Sequence, residues 1–536
     1  MATSDKHAAA RRSALSALKT LQDQGRRVFR TGDFQPGDRR RLLNMGYLDE
    51  VLRGWFIISS PANRKSDTTA WHASYWQFIA GYFNDRFGAD WVLSPAQSLA
   101  LHAENMTVPK QILVYSSAAS NNMTKLPHGS SIYDNRSKTM PTADEAAVRN
   151  GLRLWTPAAA LVRVPEHYFA ASHLDVSVVL RSMRDIGEVV EALISPPRPV
   201  VAGRLAKAFR QVDREDAADE IVDSFRRLLG QRVVETNQIK RPVFGLGNVG
   251  ESPISLRLRG MWRESREHVI DAFNEADVPP AAAVNDIDSY MRDVDEIYRN
   301  DAYNSLSIEG YKITDGLIAR VSTPDWDPYN DDGNKADHDA LAARGYFQAF
   351  SQVKEAVRRV VNGGDSASEL RTGYLHWYQE MFQPMVAVGL LQAKTLVRHR
   401  SHQVYLRGSR HVPPQEGVVN EAMNTLMDLI AKEPKHSVRA VLGHWIFGYV
   451  HPFGDGNGRA ARFAMNVLLA GGGYPWTVIR VEDRADYLDS LEAASVEHDI
   501  HPFARFIAER VRWSLDNRPR AKMMGECSKP SFTRSP

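Results

Sequence analysis

The chain has 536 residues, of which 43% are hydrophobic and 24% charged, a composition typical of globular domains that does not fit a disordered chain. Its formal net charge of +3 is small for this length, so composition alone does not indicate nucleic-acid binding. The single cysteine, Cys527, excludes an internal disulfide and a cysteine zinc site.

The N-terminus is charged and lacks the apolar stretch of a secretory signal. No window of about 18 to 20 apolar residues occurs in the chain, so no membrane span is predicted. These features predict a soluble, cytoplasmic protein of two or three domains.

Residues 11–60 combine helical stretches and a basic run, Asp38 to Arg41, with a glycine break at Gly46 and a β-rich segment from Val51 to Ile58. This order is typical of a winged helix-turn-helix. A small α/β subdomain with a solvated basic face explains it equally well, and both interpretations stay open.

A helical pattern rich in Trp and Tyr follows residue 69, and then a second helix over 94–103 and a strand over 111–115. The aromatic spacing favours core packing over base stacking. Residues 182–229 are predicted as two helices that Pro196, Pro197 and Pro199 separate.

The Gly- and Pro-rich stretch 237–253 is predicted as a connecting loop, because its glycines lack the strand and helix of a dinucleotide site. The domain limits we expect are 1–235, a linker with a connecting helix over 236–284, a catalytic domain over 285–517, and a disordered tail over 518–536. Helices are predicted near 259–275, 281–310, 336–361, 366–399, 415–433, 436–450, 458–471, 483–496 and 502–517, with a β-hairpin over 402–413.

Residues 451–462 read HPFGDGNGRAAR and directly follow an apolar helical run. Three glycines free the backbone to expose successive N–H groups, and Asn457 adds an amide at the start of the next helix. Such a turn is an anion hole, because unpaired amides and the positive end of a helix favour a phosphate.

Charged side chains around this turn suit phosphoryl chemistry. Arg459 and Arg462 are three residues apart and project from one helix face, as a clamp for a polyphosphate would. Asp455 is a hard oxygen ligand suited to magnesium. His451 can take a proton from an incoming hydroxyl as general base. A packed turn between two helices is the alternative without function.

The segment resembles the Fic family signature HxFx(D/E)GNGRxxR at every defining position, for which roughly 10⁻⁸ chance occurrences are expected in such a chain. The resemblance, over about 285–515, implies a mainly α fold: an all-helical Fic core with a β-hairpin flap, preceded by an α/β N-terminal region. It also implies AMP transfer from ATP to a Ser, Thr or Tyr hydroxyl of a target protein.

By that resemblance His451 is the base, Asp455 holds Mg²⁺, Gly456, Asn457 and Gly458 bind the α- and β-phosphates, and Arg459 and Arg462 bind the outer phosphates. The hairpin candidate resembles the flap that aligns the target by strand addition, with an ordinary surface hairpin as the alternative. Tyr487 is predicted to border the adenine pocket, with a core tyrosine as the alternative.

Residues 305–310 read SLSIEG and resemble the Fic inhibitory motif (S/T)xxxE(G/N). This loose pattern arises by chance about 0.4 times per chain, so its position before the catalytic core carries the argument. The resemblance implies that Ser305 and Glu309 share a helix face, that Glu309 pairs with Arg462, and that the domain is autoinhibited from its N-terminal side. A solvated glutamate before the Gly310 helix stop is the alternative.

The N-terminal half more loosely resembles type IV, abortive-infection antitoxins, on the stretch from Gly46-Tyr47-Leu48 to Arg53-Gly54-Trp55-Phe56. This likeness implies only a DNA- or partner-binding role. Three functions are therefore weighed: an autoinhibited AMP transferase, a DNA-binding regulator or antitoxin whose Fic half senses nucleotide, and an enzyme that removes AMP. A homodimer is left open as an assembly.

Overall fold

The computed structural model describes residues 2–61, 67–236, 247–327 and 338–517. The chain divides into two units, one formed by residues 1–260 with 404–413 and the other by 261–403 with 414–536. A short stretch far along the chain thus belongs to the N-terminal unit. The predicted domain limits stay predictions. The predicted tail over 518–536 and residues 237–246 of the predicted connecting loop lie outside the described residues.

The N-terminal unit combines helices with small sheets. Its helices are α1 (Ala2–Asp23), α2 (Pro36–Asn44), α3 (Thr69–Phe87), α4 (Pro95–His102), α5 (Pro157–Leu161), α6 (Glu166–Ala171), α7 (His173–Ser182), α8 (Gly187–Ile194), α9 (Pro199–Arg210) and α10 (Glu215–Leu229). Its strands are β1 (Val28–Arg30), β2 (Leu48–Leu52), β3 (Trp55–Ile58), β4 (Val92–Leu93), β5 (Gln111–Ser116), β6 (Met123–Lys125), β7 (Ser131–Arg136), β8 (Ala146–Arg149) and β9 (Leu152–Trp155).

Residues 2–58 form a subdomain in the order helix, strand, helix, strand, strand. The antiparallel sheet has the order β1-β3-β2, and Gly54 turns the chain between β2 and β3 with a φ of 82°. A small apolar core that includes Leu18, Phe29, Leu42 and Phe56 joins α1 and α2 to the sheet. This arrangement suits both interpretations of the segment.

The larger N-terminal core is built around the aromatic face of α3. Trp71, Tyr75, Phe78 and Phe83 are buried there, as their helical spacing predicted. A four-stranded sheet of order β4-β5-β7-β6, with β5 and β7 parallel, and the hairpin β8-β9 lie in this unit. The prediction of two helices over 182–229 is wrong, because the chain turns again at Asp213, whose φ is 58°, and so forms α8, α9 and α10.

From residue 253 on, the described residues are mainly helical, as predicted, and all nine strands that the structure describes lie before residue 156. Its helices are α11 (Pro253–Glu275), α12 (Ile287–Glu309), α13 (Asp315–Val321), α14 (His338–Val361), α15 (Ser366–Ala387), α16 (Val419–Lys432), α17 (His436–Val450), α18 (Asn457–Ala470), α19 (Arg484–Glu492) and α20 (His501–Asp516). None of the described helices is long and apolar enough to cross a membrane.

Two local predictions in this region are wrong. The helix predicted over 366–399 ends at Ala387, because Gly389 takes a positive φ of 75° and turns the chain. The hairpin predicted over 402–413 is not formed: these residues are all described, and none is assigned to a strand. Backbone groups of Gly408, Ser409 and Arg410 bond instead to Thr69, His72 and Val108.

Candidate active site

His451 lies where α17 ends. It takes the left-handed conformation, with a φ of 52°, and its N–H still bonds to the Phe447 carbonyl at 2.9 Å. Its Nδ1 lies 3.2 Å from the Gly448 carbonyl oxygen. A carbonyl can only accept, so Nδ1 carries the proton and the lone pair is on Nε2. The imidazole is thus held as the tautomer that a general base requires.

The protonation state of His451 is also suited to this role. Burial lowers the pKa of its imidazole to about 4, with Arg400 contributing, although the Gly448 bond, Glu309 and Asp455 act in the opposite direction. The side chain is only partly accessible. At neutral pH the ring is therefore neutral and able to accept a proton.

The loop after His451 is fixed by Asn457. The Asn457 side chain accepts from the Phe453 N–H at 2.9 Å and donates to the Phe453 carbonyl at 3.0 Å. The Phe453 ring in turn stacks on Tyr378, with centroids 3.7 Å apart and planes 3° apart. The Asn457 side-chain amide predicted to face a phosphate thus bonds to the loop backbone, and the backbone N–H of Asn457 stays available to an anion.

Two glycines let the loop approach its neighbours closely. Gly456 precedes α18 with a φ of 75°, and a Cβ on it would lie 2.7 Å from the Phe382 ring. A Cβ on Gly458 would overlap the Glu309 carboxylate. The first turn of α18 therefore meets a carboxylate end-on, at the place where the N–H groups of residues 457–459 have no partner inside the helix.

Arg459 is a buried cation that packs against aromatic rings. Its side chain is fully buried, and none of its three guanidinium nitrogens is hydrogen-bonded within the described residues. The guanidinium lies between the rings of Tyr311 and Phe382, at 5.3 and 5.1 Å, and 3.6 Å from an Asp455 oxygen. Because a buried cation without hydrogen bonds is costly, this group is suited to an incoming anion.

Arg462 is held by the end of α12. Its guanidinium donates to the Ser305 hydroxyl at 2.9 Å, to the Ser305 carbonyl at 3.0 Å and to Glu309 Oε1 at 2.7 Å. The ion pair predicted from the sequence is therefore present, and Gly310 ends the helix in the left-handed conformation, as expected.

The charge state of this pair is well defined. Burial raises the pKa of Glu309, but Arg462 and Arg459 outweigh it, so the net pKa is lowered. Burial likewise opposes the charge of Arg462, and Glu309 more than compensates, so the pKa of Arg462 is raised. Both groups are thus ionised at neutral pH. The Glu309 carboxylate lies against Gly458 at the start of α18 and is paired with Arg462, and we call this place the anion position.

Asp455 and Tyr487 differ sharply in exposure. The Asp455 side chain is 66% exposed at the loop tip, and its Oδ1 accepts from the Gly456 N–H at 2.6 Å. Tyr487 is 2% exposed, its hydroxyl is 2.7 Å from His444 Nε2, and it packs on Phe503 and Phe506. The Tyr487 side chain is therefore buried, and its place beside an adenine pocket stays a prediction.

Sequence reasoning missed Arg400. This buried arginine donates to the carbonyl oxygens of His451 at 2.8 Å and Val450 at 3.3 Å, and also to Pro414. Arg400 thereby caps the carboxyl end of α17 and orients the histidine. No local signal marks it, since it stands in a basic stretch without helical or strand periodicity.

Residues 371–469 match the model of the Fic/DOC family. A stretch of 123 residues is 42% identical to the protein adenylyltransferase Fic of Nematostella vectensis, covering 22% of this chain and 28% of that protein. The protein adenylyltransferase Fic of Aedes aegypti is 40% identical over 121 residues, which cover 22% of this chain and 24% of that protein. The match thus spans about a quarter of the length of these curated relatives, and it shows that the chain contains a Fic domain.

Solved Fic proteins are also similar. Fic-1 from C. elegans matches with 19% identity and a TM-score of 0.37, over 66% of this chain and 99% of that one. A Fic domain containing signaling protein from Bacteroides thetaiotaomicron matches with 18% identity and a TM-score of 0.35, over 49% of this chain and 99% of that one.

Proposed function

We propose that the Fic domain of this chain is an autoinhibited protein adenylyltransferase, which moves AMP from ATP to a Ser, Thr or Tyr hydroxyl of a target protein. One observation carries the proposal. A neutral histidine with its Nε2 lone pair available lies beside a helix N-terminus and the buried Arg459, whose guanidinium nitrogens are not hydrogen-bonded within the part of the chain that the structure describes. The names of the relatives that share the Fic stretch support the same reaction.

The chemical step follows from these groups. His451 Nε2 takes the proton of the acceptor hydroxyl, whose oxygen attacks the α-phosphorus of ATP. The bond from that phosphorus to the bridging oxygen of the β-phosphate breaks, and pyrophosphate leaves with the bonding electron pair. The products are the AMP ester of the acceptor and pyrophosphate, and the proton on His451 returns to solvent.

The residues present fit the two reagents implied. The buried guanidinium of Arg459 and the backbone N–H groups opening α18 suit a polyphosphate. The described residues contain no group of three or more His, Cys, Asp or Glu side chains placed to hold a metal. Mg²⁺ bound to phosphates needs only one or two protein carboxylates, so the exposed Asp455 fits; the ion would supply charge neutralisation.

Autoinhibition follows from the occupant of the anion position. Glu309 pairs with Arg462 and lies over Gly458, so a terminal phosphate and this carboxylate compete for one place. We propose that ATP meets the inhibited domain in an unproductive pose, and that withdrawal of Glu309 releases Arg462 for the γ-phosphate. A variant of this proposal is that Glu309 activates a water molecule, which removes AMP from a modified target. An assay for AMP release from such a target would detect this reaction.

The test compares the wild type, Glu309→Gly and Glu309→Gly/His451→Ala with [α-³²P]ATP and Mg²⁺. We expect label on protein with Glu309→Gly only, because the first change frees Arg462 and the second removes the base. Glu296→Gly, on the same helix and outside the Arg462 contacts, is the matched control and should behave as the wild type. If Glu309→Gly labels neither itself nor any lysate protein, the autoinhibited transferase is refuted.

A second candidate function is DNA binding by the first subdomain. Residues 1–61 hold eleven Lys and Arg against six Asp and Glu, and α2 carries Arg39, Arg40 and Arg41. Arg39 donates to the Thr31 carbonyl and Arg41 pairs with Asp38, whereas Arg40 is exposed. We expect Arg40→Glu to weaken salt-dependent retention of the protein's own promoter DNA, and Arg226→Glu, an exposed arginine on α10, to leave it unchanged. Equal retention by both variants would contradict this role.

A further inference from the structure

Asp301 is a buried carboxylate that the proposed transfer reaction does not use. It lies on α12, about two turns before Glu309, and only 4% of its surface is exposed. Its Oδ2 accepts a hydrogen bond from the Tyr346 hydroxyl at 2.6 Å. Tyr346 belongs to α14 and is fully buried, so this bond joins two helices inside the core. A buried carboxylate is costly unless it is hydrogen-bonded, and the Tyr346 hydroxyl is therefore important for the place of α12.

The same tyrosine is connected to the Glu309–Arg462 pair. The Tyr346 hydroxyl also interacts with the side chain of Ser305, one turn after Asp301. The Ser305 hydroxyl in turn accepts from Arg462 Nε at 2.9 Å, and Glu309 Oε1 accepts from Arg462 Nη2 at 2.7 Å. Residues 301, 305 and 309 share one face of α12 because they are four residues apart. A chain of side-chain contacts therefore runs from α14 to the inhibitory ion pair.

The Tyr346 ring and the Tyr346 hydroxyl have separate contacts. The ring packs on Phe463 of α18, with ring centroids 4.8 Å apart, and α18 is the helix that carries Arg462. The hydroxyl bonds to α12, the helix that carries Glu309. A phenylalanine at position 346 keeps the ring packing and removes only the hydroxyl, so the bond to α12 can be tested without opening a cavity.

We propose that Tyr346 is a positioning residue for autoinhibition, and that its hydroxyl holds the last two turns of α12 so that Glu309 stays paired with Arg462. This inference rests on the proposed autoinhibited transferase and names the contact that keeps the glutamate in place. Without the hydroxyl, the Asp301 carboxylate lacks this hydrogen bond while α12 is in place, and withdrawal of the helix end returns the carboxylate to water. The equilibrium between the two positions of α12 then shifts toward the withdrawn, active one.

The experiment measures the initial rate of protein labelling by [α-³²P]ATP with Mg²⁺ in the full chain. Tyr346→Phe is introduced into the wild type and into the Glu309→Gly variant. In the wild type we expect the rate to rise about tenfold, because a hydrogen bond to a charged group is lost from the inhibited state. In Glu309→Gly the rate should not change, because no glutamate is left to hold. A role in folding alone would instead lower the rate in both backgrounds.

Tyr298→Phe is the matched control. It removes a tyrosine hydroxyl from α12 itself, which is bonded to Ser322 at the end of α13 at 3.2 Å, and it should behave as its parent in both backgrounds. Asp301→Asn keeps an acceptor for the Tyr346 hydroxyl, so its rate in the wild type should rise less than that of Tyr346→Phe. Hydrogen exchange at the amides of residues 306–309 should become about tenfold faster in Tyr346→Phe and stay unchanged in Tyr298→Phe.

Three results overturn the proposal: an unchanged labelling rate when Tyr346→Phe is made in the wild type, an equal change of rate in both backgrounds, or an equal rise in Tyr298→Phe. A rise in Asp301→Asn as large as that in Tyr346→Phe would also contradict it, because the acceptor for the hydroxyl is still present. Absence of label in the Glu309→Gly parent would refute the transferase function itself. The exchange measurement would then still decide whether Tyr346 holds the end of α12, and unchanged exchange would show that it does not.

Discussion

At the scale of single residues, the site depends on where protons and charges reside. The bond to the Gly448 carbonyl decides the tautomer of His451, and burial decides that its ring is neutral. Arg459 is buried and has no hydrogen-bond partner within the described residues, whereas Arg462 is satisfied by Ser305 and Glu309. Arg459 and Arg462 therefore differ in whether their guanidinium groups are available to bind an anion, although their spacing in the sequence is that of a pair on one helix face.

The pH dependence of transfer should reflect the buried histidine. The pKa of His451 is about 4, so the reactive neutral form is present above that pH and is lost as the pH falls through it. In the Glu309→Gly variant, we expect kcat/KM to be flat from pH 8 to about pH 5 and to fall below it. A rate that already halves near pH 6.5, with the fold intact by circular dichroism, would contradict this prediction.

Arg400 should act as a positioning residue. Arg400→Lys keeps the charge but loses the fork that reaches several carbonyls, so we expect a kcat for AMP transfer about 100-fold lower, with a small change in the KM for ATP. Steady-state kinetics in the Glu309→Gly background check this. Arg439→Lys, near the start of the same helix α17, is the control, and an equal loss there would mean that both arginines serve only folding.

At the scale of elements, the C-terminal end of α12 meets the N-terminal end of α18. The face of α12 presents Asp301, Ser305 and Glu309 at four-residue spacing, and Asp301 is bonded to the Tyr346 hydroxyl at 2.6 Å. Burial raises the pKa of Asp301 to about 6. The N-terminus of α18 receives the last of these three side chains. The Glu309 carboxylate thus reaches Gly458 and Arg462 because α12 ends where α18 begins.

A substitution can fill the space beside the Gly458 Cα and leave the backbone N–H of residue 458 in place. Gly458→Ala should stabilise α18 by up to about 1 kcal/mol, since glycine is a poor helix residue, yet its methyl group fills the anion position. In the Glu309→Gly background, we therefore expect a higher melting temperature together with an ATP affinity at least about tenfold weaker by titration calorimetry. Gly316→Ala on α13, where a Cβ meets nothing within 4 Å, should leave ATP affinity unchanged.

At the scale of the whole molecule, the chain consists of two units, and residues 404–413 from its later part belong to the N-terminal unit. The chain leaves the helical unit after Gln403 and returns to it at Pro414.

Ligand binding should be visible in the stability of the full chain. ATP at about 100 times its Kd stabilises a folded state that binds it by about 2.7 kcal/mol. We expect ATP with Mg²⁺ to raise the melting temperature of Glu309→Gly, and Arg459→Ala in that background to abolish most of the shift, because this buried guanidinium is suited to the phosphate. An undiminished shift in calorimetric scans of Arg459→Ala would contradict its phosphate-binding role.

Much of the helical unit was predictable because its signals are local. The limits of α17 and α18 agree with the apolar periodicity and the glycine-rich break to within one residue, and Gly310 ends α12 as its composition predicts. The hairpin over 402–413 was mispredicted because Val412 finds its core among residues hundreds of positions away. Local β propensity carries no information about such a partner.

The candidate site at residues 451–462 follows from their order in the chain, because a histidine, three glycines and two arginines lie within twelve consecutive residues. Which of these groups remain available depends on the folded molecule: Asn457 is used by the loop, Arg462 by a helix 157 residues earlier, and Tyr487 by the core. The physical reason is that a motif specifies its own backbone, whereas burial and pairing depend on whatever the rest of the chain brings against it.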